Sequence, residues 1–309
     1  MDLRRHDGGA GDQHDRRRAA RGSARGGGRR VGTLSDEAAV LTVLGSGTCI
    51  PDAVRHSAAF HLESGAASIL LDCGPGTVHG LAAHGVAWSR LTHVAVSHFH
   101  TDHVGDLAGL LFALAYGARP RRTEPLVLVG PTGLGAFVDR LASAFGAYVR
   151  EPNFGLEIIE LGGAGASGPL TLAEGLALRA HPTPHTETSL AYRIEGPWGA
   201  LGYTGDTGPS EEVAEFLTGC RALVAECAFD DPPETELHLS PALLAEIAHR
   251  ARPELLVVTH VYPPLAPSEA VRRVSERYPG RVVAGADGVR IRFGARGADV
   301  DPPGGAVYT

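Results

Sequence analysis

From residue 40 onward, short apolar runs alternate along the chain with segments whose apolar positions recur at helical spacing. Runs such as VLTVL at 40–44 and LVLVGP at 126–131 predict buried strands, because they are brief and bounded by turn-forming residues. A segment such as 133–147 predicts a helix with one apolar face. The predicted strands lie at 40–44, 58–64, 68–74, 92–98, 126–131, 156–161, 176–181, 189–195, 200–204, 222–226, 255–260 and 289–293, and the predicted helices at 77–84, 107–116, 133–147, 210 onward, 241–250 and 268–278.

This order of elements predicts an α/β fold in which two sheets pack together and helices cover their outer faces. Two similar halves follow one another, and each is rich in strands before its helices, as expected for such a layered sandwich. We expect one domain over residues 39–295. Residues 1–38 are predicted to be a disordered, Arg/Gly-rich extension, and residues 296–309 a flexible C-terminal tail.

Charge is distributed unevenly and bears on the class of partner. The net charge is −7, yet residues 1–30 contain nine arginines and four aspartates, so the remainder carries a net charge of about −12. An acidic body argues against broad nucleic-acid binding, which depends on basic patches. The four cysteines lack zinc-site spacing, and no apolar run is long enough to span a bilayer. The sequence therefore predicts a cytoplasmic protein that does not enter a membrane.

The richest chemistry lies in SHFHTDHVGD, which begins with the last two residues of the predicted strand at 92–98. His98 and His100 are two positions apart and can face one cation, while Asp102 and His103 can face a second one close by. Imidazole suits zinc and iron, and a carboxylate also tolerates manganese. This motif predicts part of a metal site whose other ligands come from elsewhere in the chain.

Candidates for those ligands sit at the ends of later predicted strands. HPTPHTE offers His181 and His185, YTGDTG offers Asp206 in a glycine-flanked turn, and LVVTHVYP ends an apolar strand at His260. Because each follows a strand and precedes a turn, we expect them to meet at one edge of the sheets. A turn-forming Asp206 and a capping His260 are the alternatives.

Taken in order, these motifs resemble the metallo-β-lactamase fold of hydrolases, a four-layer αββα sandwich. The resemblance covers residues 40–293. LGSGTCIPDAVRHSAAF is similar to the N-terminal signature of ribonuclease Z and of related arylsulfatases and phosphodiesterases. AECAF resembles the "HEAT" box of ribonuclease Z, with Glu226 kept and Ala225 in place of the histidine, and ELHLSP places His238 before a helix, where that family has a catalytic histidine.

The resemblance implies two divalent metal ions, zinc in the first instance, with manganese or iron as alternatives. It assigns His98, His100 and His185 to one ion, Asp102, His103 and His260 to the other, and Asp206 to both. His185 is preferred to His181 because its distance along the chain from LAYR matches the family. The catalytic residues are expected to be Asp102, His238 as proton donor and Glu226 as its orienting partner, and Asp72 is expected to hold a ligating histidine. The alternatives are a helix-capping His238 and a structural Glu226.

The resemblance also implies a substrate class. We expect a hydrolase of small phosphodiesters or RNA ends, with a nucleotide or another small molecule as the ester. An arylsulfatase or a lactone or thioester hydrolase on the same site is the alternative. A non-catalytic metal- or nucleotide-binding protein is the alternative of another class. The interval from His185 to Asp206 is too short for the long arm of transfer-RNA processing enzymes, which argues against transfer RNA as a partner. A homodimer is also expected, since relatives commonly pair beside the site.

Overall fold

The computed structural model describes residues 37–162 and 168–303. The strands are β1 (Glu37–Gly45), β2 (Ala59–Ser64), β3 (Ala67–Leu71), β4 (His93–Ala95), β5 (Leu126–Pro131), β6 (Leu156–Leu161), β7 (Leu170–Ala173), β8 (Leu176–Pro182), β9 (Leu190–Gly196), β10 (Gly199–Tyr203), β11 (Ala222–Glu226), β12 (Leu255–Thr259), β13 (Arg281–Ala284), β14 (Arg290–Gly294) and β15 (Gly297–Asp301). The helices are α1 (Thr77–Ala83), α2 (Thr101–Val104), α3 (Leu107–Phe112), α4 (Leu134–Phe145), α5 (Glu211–Phe216), α6 (Pro241–Ala251) and α7 (Pro267–Arg277).

Within the described ranges the strands form two sheets. The first has the order β15-β14-β1-β2-β3-β4-β5-β6, and the second has the order β13-β12-β11-β10-β9-β8-β7. In the first sheet β3, β4, β5 and β6 run parallel, and in the second sheet β10, β11, β12 and β13 do so. Each sheet therefore has a parallel part whose strand ends can carry functional loops.

Alternation along the strands separates an inner core from two outer ones. In β1, Leu41 and Val43 face the space between the sheets, whereas Leu44 faces the helices on the outside. The outer face of the first sheet packs on residues of α1, α3 and α4, and that of the second sheet on residues of α5, α6 and α7. The result is the predicted four-layer αββα sandwich.

The ends of the chain require one correction. Residues 297–301, predicted to lie in a flexible tail, form β15, which pairs antiparallel with β14. Ala298 is buried and Val300 packs against the inner core, but two apolar positions in GADVD give too weak an alternation to stand out in the sequence. The predicted extension at residues 1–38 lies outside the described residues, apart from the start of β1 at Glu37.

Two further strands, β7 and β13, are short and were not predicted. The helix predicted at 107–116 is α-helical only as far as Phe112 and continues as a π-helical turn over Ala113–Gly117. None of the described helices has the length and apolar character that a bilayer crossing needs.

His61 gives a test of this core that is independent of the functional site. It is buried on β2, its Nε2 lies 2.8 Å from the hydroxyl of Ser68, and burial lowers its pKa from 6.5 to about 4. Because the pKa of His61 is lower in the folded than in the unfolded chain, its contribution to stability is fully present above pH 6.5 and is lost as the pH falls toward 4. We expect the free energy of unfolding to fall between pH 8 and pH 5 by about 2 kcal/mol more in the wild type than in His61→Gln. Urea unfolding of both proteins across this range measures the difference, and parallel pH profiles would contradict it.

Candidate metal centre

The predicted ligands come from four strand ends and meet at one edge of the sandwich. His98 and His100 follow β4, and Asp102 and His103 lie in the short helix α2 behind them. Among the described residues, donor atoms within 4.8 Å of one another form three groups, of which the third, Asp206, His238 and His260, overlaps the other two. The first group consists of His98, His100, His185 and Asp206, and the second consists of Asp102, His103 and His260.

Asp206 lies between the two groups. Its Oδ2 is 3.7 Å from Nε2 of His98 and 3.7 Å from Nε2 of His185, both in the first group. Its Oδ1 is 3.3 Å from Nε2 of His103, and its Oδ2 is 3.4 Å from Nε2 of His260. The carboxylate is buried after β10, so its position depends on the second sheet. One carboxylate therefore faces both clusters of imidazoles.

Three imidazole nitrogens converge in the first group. Nδ1 of His100 is 3.0 Å from Nε2 of His98 and 3.1 Å from Nε2 of His185. Nδ1 of His185 donates to the carbonyl of Leu237 at 3.1 Å, so the neutral ring presents the lone pair of Nε2 to the group. Burial lowers the pKa of His98 and of His185, which keeps both rings neutral and able to bind a cation.

Asp72 positions the second group by accepting a hydrogen bond from His103. Nδ1 of His103 donates to Oδ2 of Asp72 at 2.6 Å, as predicted. Asp72 also accepts hydrogen bonds from the backbone and hydroxyl of Ser97 and from the hydroxyl of Tyr203. Burial lowers the pKa of His103, but the charges of Asp206 and Asp72 outweigh it and raise that pKa well above its ordinary value. A cation that binds Nε2 of His103 therefore displaces a proton.

Unpartnered polar atoms show that these residues fit metal ions. Nε2 of His103, Oδ1 of Asp206 and both ring nitrogens of His260 are buried and, among the described residues, have no hydrogen-bond partner. Leaving such atoms unsatisfied is costly, whereas a divalent cation supplies the missing partner. Imidazole and carboxylate donors suit zinc, manganese and iron.

The geometry also distinguishes His185 from His181. The ring of His181 packs against Phe216 at 5.3 Å between centroids, and its Nδ1 lies 2.8 Å from the carbonyl of Pro182. His181 belongs to neither donor group, whereas His185 belongs to the first. This placement favours His185 as the third histidine.

The buried Glu226 and the partly buried His238 form a hydrogen-bonded pair at the edge of the donor groups. Nδ1 of His238 donates to Oε1 of Glu226 at 2.8 Å, and the same oxygen accepts from the backbone of Thr207 at 2.8 Å. Oε2 accepts from the backbone of Ala228 and of Leu239, each at 3.1 Å. Glu226 thus satisfies four donors and fixes the loops that carry Asp206 and His238.

His238 does not cap the following helix, which was the structural alternative. Ser240 is the N-cap of α6, and its side chain accepts from the backbone of Leu243. The ring of His238 lies 4.7 Å from that of His185 and 6.0 Å from that of His260. Burial lowers the pKa of His238, but the hydrogen bond and charge of Glu226 outweigh it and raise that pKa. His238 can therefore hold a proton at the edge of the site.

We expect Glu226→Gln to destabilise the fold. Each carboxylate oxygen of Glu226 accepts from two donors, and in glutamine one of these oxygens is replaced by an NH2 group, which is itself a donor. At least one buried backbone N–H therefore loses its acceptor. The expected loss of unfolding free energy is about 1–3 kcal/mol. Urea unfolding measures it, with the exposed Glu234→Gln as the matched control. Equal midpoints for the two variants would mean that the four hydrogen bonds contribute nothing.

Sequence reasoning missed two aromatic residues beside this site, Phe229 and Tyr262. Their rings stack with centroids 5.4 Å apart and lie next to His238. Phe229 stands in AECAF and Tyr262 in LVVTHVYP, so both motifs contained them. Their contact depends on β11 and β12 being neighbours, which no spacing in the sequence reveals.

Comparison with known proteins identifies the family of the chain. The model described as the beta-lactamase superfamily domain matches residues 67–261, a span that contains every candidate ligand. The chain belongs to the beta-lactamase superfamily. Its fold and the order of its motifs agree with that membership, which confirms the resemblance seen in the sequence.

Several known proteins resemble the chain over most of its length. Ribonuclease Z of Mycobacterium sp. (strain KMS) is 29% identical over 276 residues, which cover 81% of this chain and 95% of that protein. The metallo-beta-lactamase fold protein YhfI from Bacillus subtilis superposes with a TM-score of 0.71 at 23% identity, over 82% of this chain and 99% of that one. The short form of human tRNase Z gives a TM-score of 0.67 at 23% identity, again over 82% and 99%. The two structures share the fold with this chain.

Proposed function

We propose that the protein is a dinuclear metal-dependent phosphodiesterase of the ribonuclease Z-like branch, acting on small phosphodiesters or RNA ends. At the coarser level, the chain is a hydrolytic enzyme of ester bonds, as its family and its ribonuclease Z relatives indicate. The observation that carries the finer proposal is the position of Asp206 between two groups of imidazoles. A carboxylate shared in this way is what two neighbouring cations require.

The proposed ligands divide as the donor groups do. His98, His100 and His185 would hold one ion and Asp102, His103 and His260 the other, with Asp206 contacting both. Two bound divalent ions supply positive charge for a phosphate oxygen and lower the pKa of water. Zinc is the proposed metal, and manganese or iron suits the same donors.

The remaining chemistry is proposed for protein side chains. His238 would donate a proton to the oxygen of the leaving group, and Glu226 would orient it through the hydrogen bond to Nδ1. Asp102, the third proposed catalytic residue, has its Oδ2 at 3.9 Å from Nε2 of both His103 and His260. Its negative charge would strengthen the hold of these two rings on a cation.

Small diesters are favoured over transfer RNA on two grounds. The stretch between His185 and Asp206 holds only a loop, β9 and β10, which leaves no room for a long binding arm. The net charge of −7 also opposes a large polyanion, because binding to a nucleic-acid backbone depends on basic patches. Cleavage of a precursor transfer RNA at a rate similar to that of a small diester would argue against this restriction.

Hydrolysis of bis(p-nitrophenyl) phosphate by zinc- or manganese-loaded protein tests the proposal. We expect release of p-nitrophenol that a chelator stops and added metal restores. Protein shown to contain two ions per chain but unable to hydrolyse this diester would contradict the phosphodiesterase proposal. Sulfate esters, lactones and thioesters would then be the substrates to examine. Metal content without turnover of any ester would indicate a binding protein.

A homodimer is proposed through the exposed aromatic face beside α3. Phe112 and Tyr116 are each 52% exposed, and both rings contact Tyr148, with centroids 5.1 Å and 6.0 Å away. Large exposed aromatic rings that pack together are typical of protein interfaces. We expect sedimentation velocity to show a dimer that Phe112→Asp converts to a monomer. Leu237→Asp, which changes an exposed apolar residue elsewhere, is the matched control.

A further inference from the structure

Two partly exposed aromatic rings stand side by side where neighbouring parallel strands end. Phe229 follows β11 and Tyr262 follows β12, and the rings are stacked with centroids 5.4 Å apart and an angle of 29°. The backbone of Tyr262 donates to the carbonyl of Ala228 at 3.0 Å, and that of Phe229 to the carbonyl of Leu239 at 3.2 Å. The two rings, which we call the aromatic pair, are therefore held on fixed backbone.

The aromatic pair borders the proposed proton donor and one proposed ligand. The ring of Phe229 is 5.5 Å from that of His238 and nearly perpendicular to it, at 84°. The ring of Tyr262 is 6.4 Å from His238 and 5.4 Å from His260. A group attached to an oxygen that His238 protonates would thus lie within reach of both rings.

A cavity adjoins the aromatic pair at Tyr262. The tyrosine hydroxyl lies 3.2 Å from the thiol of Cys49, and Cys49 lines a cavity of about 500 Å3 that extends to Asp102. Ile50 belongs to the same wall and is 41% exposed. The arginine in that wall, Arg55, already binds Asp52 and the carbonyl of Val261. This surface is suited to an apolar, planar group more than to a chain of phosphates.

Packing alone does not explain the aromatic pair. Phenylalanines that serve the core, such as Phe60 and Phe293, are enclosed to 1% and 0% exposure. Phe229 and Tyr262 remain partly exposed beside histidines. Exposed apolar surface of this kind gains free energy when a ligand covers it.

We propose that the aromatic pair is the leaving-group subsite and takes a planar aryl group or a nucleobase by stacking. The proposal rests on the function proposed above, because it places the leaving group next to His238. In hydrolysis, water forms the new P–O bond, and the old P–O bond breaks with its electron pair on the leaving oxygen. The proton from His238 completes the leaving alcohol, the attacking water releases a proton to solvent as it bonds to phosphorus, and His238 regains a proton from solvent. The aromatic pair binds the ring attached to that oxygen, so it determines which esters are cleaved fastest.

Two phosphodiesters whose leaving groups have equal pKa test the proposal. The leaving group of the first is a planar aryl alcohol, and that of the second is a fluorinated aliphatic alcohol. In Phe229→Leu and in Tyr262→Leu, kcat/KM for the aryl diester should fall about tenfold, the effect of losing one stacking partner. For the aliphatic diester it should change by less than about threefold, which also shows that the variant folds and binds metal. Phe145→Leu is the control, because Phe145 is 61% exposed on α4 and lies outside the site.

Binding without turnover separates this proposal from the proposed function. The probe is 4-nitroanisole, which carries the ring but no acidic oxygen, and saturation-transfer NMR on the zinc-loaded full chain reports its contact. We expect a signal in the wild type and in Phe145→Leu, and its loss in the two variants of the aromatic pair. Ring binding that depends on the pair, without turnover of any diester, would support the subsite and refute the phosphodiesterase function. Diester turnover with an unchanged aryl preference and unchanged probe binding in the variants would overturn the subsite alone.

Discussion

Replacing Asp206 by asparagine should abolish turnover of bis(p-nitrophenyl) phosphate and at least halve the metal bound per chain. The carboxylate faces both donor groups, with oxygens at 3.3–3.7 Å from nitrogens of His103, His260, His98 and His185. An amide has nearly the same shape but no charge, so two cations would lose their shared anionic partner. Loss of this much electrostatic stabilisation should lower kcat/KM on the order of a thousandfold or more.

Metal analysis after gel filtration and initial rates at saturating zinc measure the two effects of Asp206→Asn. Asp299→Asn, an exposed aspartate on β15, makes the same chemical change away from the site and should match the wild type in both assays. An Asp206→Asn protein that keeps two ions and full activity would show that Asp206 serves neither group.

Replacing His238 by glutamine should slow the hydrolysis of esters with poor leaving groups and spare those with good ones. His238 lies beside His185, and Glu226 raises its pKa, so it can carry the proton that a departing alkoxide needs. For an alkyl or nucleoside leaving group, kcat should fall about 10²–10⁴-fold. For p-nitrophenol, which leaves as a stable anion, the change should stay within about tenfold.

A series of aryl and alkyl diesters of rising leaving-group pKa measures this dependence. The rate should fall more steeply with leaving-group pKa in His238→Gln than in the wild type. His249→Gln is the matched control, since His249 sits on α6 and contacts the carbonyl of Arg277. If the rate depends equally steeply on leaving-group pKa in the wild type and in His238→Gln, another group donates the proton.

The contiguous part of the site could be predicted from sequence because its geometry is local. His98, His100, Asp102 and His103 follow one strand, so their proximity needs no knowledge of the rest of the fold. Asp206 and His260 could be placed nearby because strand ends gather at a sheet edge. A bond from Asp72 to one of the candidate histidines was also predicted, without saying which, and the structure shows it to His103.

Other features depend on sheet order, which local patterns do not contain. The aromatic pair exists because β11 and β12 are neighbours, and their rings are separated by a whole helix in sequence. Strand β15 was mistaken for a loose tail because its pairing with β14 supplies order that its composition does not indicate. The choice of His185 over His181 rested on family resemblance, and geometry then favoured it through the bond to Leu237.

The division of the donors between the two sheets has a consequence for how the protein matures in the cell. Residues up to His103 contribute four of the seven donors, while His185, Asp206 and His260 are synthesised later. A nascent chain whose first half has left the ribosome therefore presents the first histidines before Asp206, the carboxylate that faces both donor groups, has been synthesised. On the proposed assignment, the first donor group is complete only after Asp206 has emerged and the second only after His260 has emerged, and both would need the second sheet to have docked. If these residues bind metal as proposed, metal acquisition would follow synthesis of the strands of the second sheet that carry His185, Asp206 and His260.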